Sequence, residues 1–120
     1  TLVEILMALV ILALGIFALA KVLPSSSHSE VGARMQDTAG QYANEEFENL
    51  RGLPRNSSAL STGRHPASGF DSLGTRKSLT RYYVVTQMAS PLDSLFKVKS
   101  TVRWKSAKPE SVVVIGYLMP

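Results

Sequence analysis

The chain predicts an α+β fold: a long N-terminal α-helix packed on a small three- to four-stranded antiparallel β-sheet. Three observations carry that prediction. An unbroken apolar run reaches from Leu2 to Ala20, interrupted only by Glu4 and Gly15. Val31, Met35, Ala39, Tyr42, Ala43, Phe47 and Leu50 then recur at spacings near three and four, the signature of one apolar helix face. The C-terminal part carries β-branched and aromatic segments that alternate with charged residues.

The first segment, residues 1–24, approaches the ~20 apolar residues that span a bilayer. No basic stretch precedes it, which weakens a signal-peptide reading. Lys21 marks the aqueous boundary, where its stem can lie along apolar surface while its ammonium reaches water. Glu4 is the costly residue. A charged side chain at membrane depth costs about 2.5–3.5 kcal/mol even on lenient scales, so it needs a partner. Pro24 removes a backbone donor and disfavours helix at Leu23, and Gly15 costs about 1 kcal/mol relative to alanine. A kink or partial melting of the helix is therefore expected between Gly15 and Pro24.

Residues 25–120 are expected to form the globular head. Helix should resume at a capping box, Ser27-His28-Ser29-Glu30, and run over residues 27–52, where Gly52 and Pro54 stop it. Residues 54–78 are rich in Ser, Gly, Pro and Arg without periodicity, and read as a long loop of the kind that makes contacts, from which a fourth strand could come. Strands are expected over about residues 80–89, 95–105 and 111–119. In the second, Phe96, Val98, Val102 and Trp104 should face one way and Lys97, Lys99, Thr101, Arg103 and Lys105 the other. The third is apolar on both faces, as for a strand covered twice.

With 120 residues, the chain has room for one small domain beyond its apolar segment. It has no cysteine, which excludes disulfides and thiolate metal sites. The net charge of +4 is unevenly distributed, with acids gathered at residues 30–48 and Lys and Arg dominating from Arg51 onward. That polarity suits lateral packing of identical subunits, against the plainer reading of two solvated faces. Arg76, Lys77, Arg81, Lys97, Lys99, Arg103 and Lys105 form a possible surface or nucleic-acid contact, with Tyr82, Tyr83 and Trp104 as stacking groups. A solvated sheet face or a subunit contact is the plainer reading of these cations. His28 and His65 lie far apart with no partner at metal-ligand spacing, and no nucleophile elbow is present. No catalytic, cofactor or metal residue is assigned, and the chain does not read as an enzyme.

Thr1-Leu2-Val3-Glu4, followed by ILMALVILALGIFALA, resembles the N-terminus of the type IV pilin superfamily. The segments Arg81-Tyr82-Tyr83-Val84-Val85 and Lys99-Ser100-Thr101-Val102-Arg103-Trp104 are similar to V-type minor pilins and to the I-type pseudopilins of type II secretion. The resemblance implies a pilin fold and a mechanism. Subunits wait in the bacterial inner membrane, are processed by a prepilin peptidase, and pass through an assembly platform into a cell-surface helical filament. Glu4 would pair with the N-terminal amine of a neighbouring subunit, with Thr1, Leu2 and Val3 at the same assembly contact, while Gly15 and Pro24 would mark where the helix melts. Three residues precede Glu4 where the family has four, so a further residue, an N-methylated phenylalanine, is expected before Thr1. Expected partners are further copies of the chain, other pilins, and DNA or host and abiotic surfaces. Two alternatives stand beside the pilus subunit: a type II secretion pseudopilin, and a membrane-tethered DNA- or surface-binding module.

Overall fold

The computed structural model describes every residue except Arg76 and Ala107, and the backbone alone of Ser25. It contains one α-helix, α1 (Leu2–Arg51), a short 3-10 turn (Ser58–Leu60) and five strands: β1 (Gly63–His65), β2 (Asp71–Leu73), β3 (Leu79–Gln87), β4 (Phe96–Lys105) and β5 (Pro109–Leu118). The chain divides into two units, Thr1–Arg34 and Met35–Pro120.

The first unit is helical from Leu2 onward, through Gly15 and Pro24. In the isolated chain no melted segment interrupts α1 between those residues, and no new helix begins at Ser27. Proline deletes one backbone donor, and the turns on either side keep their own bonds. Ser27 does not cap: its hydroxyl donates back to the Leu23 carbonyl at 3.2 Å, a bond available only inside a helix.

In the second unit the last turns of α1 lie on one face of the sheet. All strand pairings are antiparallel, with β3, β4 and β5 forming a meander. The segment expected to be a loop supplies two further strands, both on the free edge of β3. β2 pairs with residues 79–81 and β1 with residues 83–85. Three-residue strands carry too little alternation to be read from sequence. Side-chain chemistry holds them instead: the Arg64 guanidinium donates to the carbonyls of Pro66 and Gly69 and lies over the rings of Tyr82 and Phe70.

Two apolar clusters fill the helix–sheet interface. Leu50, Leu60, Tyr83, Val85, Phe96, Val98 and Leu118 form one, with Phe47 packed against it. Ala39, Ala43, Leu79, Val102 and Trp104 form the other, joined by Met35 and Tyr42. The predicted stripe thus packs from Met35 onward, whereas Val31 is exposed. Tyr83 anchors the 3-10 turn by donating from its hydroxyl to the Ala59 carbonyl at 3.1 Å, and its ring stacks on His65. Burial pushes the Tyr83 hydroxyl above its ordinary pKa, with the charges of Glu46 and Asp71 acting in the same direction and Arg81 opposing them.

Gly116 on β5 lies directly under the Phe47 ring, and a methyl group there would overlap it. Gly116→Ala should therefore destabilise the head by about 1–3 kcal/mol through overpacking. Denaturant melts of the full chain in detergent check this. Part of the loss should return when Phe47→Leu makes room in the same chain.

Candidate assembly surfaces

Every described side chain from Thr1 to Leu23 is exposed, including the whole apolar run. This helix is long and apolar enough to cross a membrane. At its start the Thr1 amine lies 3.4 Å from the Glu4 carboxylate, with both side chains more than four-fifths exposed. An ammonium at this level of the helix is thus within reach of Glu4. In water such an exposed pair contributes little.

The outer face of the sheet, turned away from α1, collects most of the sequence-predicted cations. Register places Lys97 between Tyr117 and Thr86, Lys99 between Ile115 and Val84, and Arg103 between Ser111 and Thr80. Lys99, Arg103 and Lys105 are exposed and Lys97 is half-buried. Thr101, expected among them, is buried between Tyr82 and Val113, and its hydroxyl has no described partner. Beside the cations runs an apolar row on β5. Val113, Ile115 and Tyr117 are 44, 52 and 55 % exposed. The second cover predicted for this strand is not provided by the described residues. β5 has its helix-facing cover only.

Towards the β2 end, Lys77, Arg103 and Lys105 line a shallow cavity of about 480 Å³ together with Phe70, Thr80 and Trp104. Lys77 adopts a left-handed backbone conformation (φ 51°) and its N–H donates to the Gly74 carbonyl. Arg103 lies over the Phe70 ring. Trp104 is almost fully buried, which leaves Phe70 as the exposed aromatic group here. Sequence reasoning did not single out Phe70, since an isolated phenylalanine in a Gly/Ser segment has no pattern. Arg76 lies outside the described residues.

Arg81 belongs elsewhere. It faces the helix, where its guanidinium meets the Glu46 carboxylate at 2.7 Å and donates to the Tyr42 carbonyl at 3.2 Å. Both side chains are only 13–14 % exposed. The alternation of β3 explains the placement: Arg81 shares its face with Leu79, Tyr83 and Val85, all buried. The pair stands where the two apolar clusters meet, close to fully buried Ser100.

The opposite side of the second unit is acidic. Asp37, Gln41, Asn44, Glu45 and Glu48 recur at spacings of three and four along α1 and are all exposed. None of the described ion pairs uses Asp37 or Glu45, nor Lys97, Lys99, Arg103 or Lys105. The unit is therefore basic and partly apolar on its sheet face, and acidic on its helix face.

No protein-family model, curated protein or solved structure matches this chain.

Glu46→Gln should cost about 3 kcal/mol of stability, because it strands a desolvated guanidinium. A Glu46→Leu, Arg81→Met double variant should recover most of that, since an apolar pair of similar size carries no desolvation penalty. Thermal melts of the single and double variants check both.

Proposed function

We propose that this chain is a structural subunit of a type IV pilus-like filament, held first in the bacterial inner membrane and then drawn into the filament through α1. The observation that carries the reading is the exposed apolar run with a single carboxylate, Glu4, one turn from its start. Soluble proteins rarely leave apolar surface on this scale uncovered. Hydrocarbon covers it in the membrane, and the helices of neighbouring copies cover it in a filament.

Glu4 then sets the register. In the bilayer its charge is costly; beside the N-terminal amine of a neighbour, both charges are neutralised within an apolar surround. A copy out of register leaves a buried carboxylate unpaired, at about 3–5 kcal/mol. Thr1, Leu2 and Val3 share this contact. Gly15 and Pro24 weaken the helix locally and would allow it to extend under assembly, although α1 is helical there in the isolated chain. A prepilin peptidase and an inner-membrane platform are the implied partners.

Electron microscopy of cells expressing the natural chain or Glu4→Ala tests the reading. Filaments rich in this chain are expected from the first and should be lost or sharply reduced in the second. If the natural chain stays in the membrane and enters no filament, the reading fails.

A further inference from the structure

The two faces of the second unit have opposite charge, and both are made by residues fixed in register. On the sheet face Lys97 and Lys99 stand two positions apart on β4, about 6.8 Å at 3.4 Å per residue, and Arg103 lies about twice that distance further along the same face. Next to them the exposed row Val113, Ile115 and Tyr117 offers apolar area. On the helix face Asp37, Glu45 and Glu48 form an exposed acidic stripe, interleaved with the neutral side chains Gln41 and Asn44.

We infer that the basic sheet face of one copy docks on the acidic helix stripe of a second copy. Charge complementarity within one sequence selects that occupant. The acids and cations concerned are too far around the unit to meet one another, on opposite sides of the helix–sheet layer. Each exposed pair contributes little by itself. The contact needs the apolar row as well, whose side chains lose water against the stems and amides of the stripe. The chain already uses this chemistry internally, where the Glu46 carboxylate on α1 meets Arg81 on β3.

The two surfaces differ, so the contact is heterologous: each copy presents a sheet face to one neighbour and a helix face to the next. Such contacts propagate into open chains or close into rings, and like faces do not pair. The inference rests on the filament reading and gives it a specific lateral contact in the heads, independent of Glu4.

Because the chain has no cysteine, single introduced thiols report this contact cleanly. Two differently tagged chains, one with Ile115→Cys and one with Gln41→Cys, are co-expressed and oxidised in filaments sheared from the cells. Mixed disulfide dimers are expected in excess over either like pair, and over a Leu92→Cys control on an exposed loop. Adding Lys97→Glu and Lys99→Glu to the first chain should reduce the mixed product about fivefold, the scale of two exposed pairs turned repulsive. Adding Glu45→Lys and Glu48→Lys to the second chain should then restore it. Absence of the mixed product, or a product indifferent to both charge changes, overturns the contact. So does salt-sensitive retention of oligo(dT) that depends on Lys97 and Lys99 without any 41–115 cross-link, which would make the row a nucleic-acid surface. A parallel Leu9→Cys cross-link reports packing of the apolar helices. Its failure would sink the filament reading itself, whereas its success beside a missing 41–115 product sinks only this contact.

Discussion

The apolar side chains from Leu2 to Leu23 are all exposed, and that constraint orders everything else. Each buried aliphatic side chain is worth about 1.5–3 kcal/mol relative to exposure, so the run as a whole represents a large driving force for insertion or association. On the proposed reading a bilayer covers the run first and a set of like helices afterwards. Glu4 makes those two environments unequal on that reading, since a neighbouring helix start brings it an amine that lipid does not.

The head must remain folded on a helix whose first part engages other surroundings. Small residues allow this: Ala39 and Ala43 are fully buried and bring the helix close to the sheet, while Gly116 admits Phe47 between them. Glu46 and Arg81 add a directional tie at the joint between the clusters. A buried ion pair is a weak source of net stability, but breaking it is costly, so it fixes which turn of α1 faces which strand. Residues outside the core are thereby held in register: the acids on one side of the unit and the cations on the other.

The helix, the three long strands and most of the packed stripe are legible in the sequence because each repeats its pattern over many residues. β1 and β2 are not. Three residues cannot show a period, and their positions depend on Arg64 bonding to carbonyls two and five residues away. Pro24 misleads for a different reason: propensity prices one lost hydrogen bond, whereas the helix on either side continues through it. Arg81 reads as a surface cation by composition alone, yet strand alternation puts it inward beside Tyr83, and Glu46 on a distant helix accepts it. Thr101 shows the reverse case, a residue on the outer face buried by its cross-strand neighbours. Of the surface cations, Lys97, Lys99, Arg103 and Lys105 fall on the predicted face because β4 alternates cleanly. The exposure of Val113, Ile115 and Tyr117 is hidden in the sequence, where an apolar strand suggests cover on both sides.

What surrounds the middle of the apolar run is the most direct test of this account. A spin label on Leu12→Cys, in the otherwise cysteine-free chain, reports both its surroundings and its neighbours. In isolated membranes the label should be accessible to oxygen, shielded from water-soluble relaxants, and magnetically dilute. In purified filaments it should become immobile and show strong label–label coupling, as helices of adjacent copies close around it. A label equally exposed to water-soluble relaxants in both preparations, or one that stays dilute in filaments, would contradict the claim that this helix passes from lipid into a helical core.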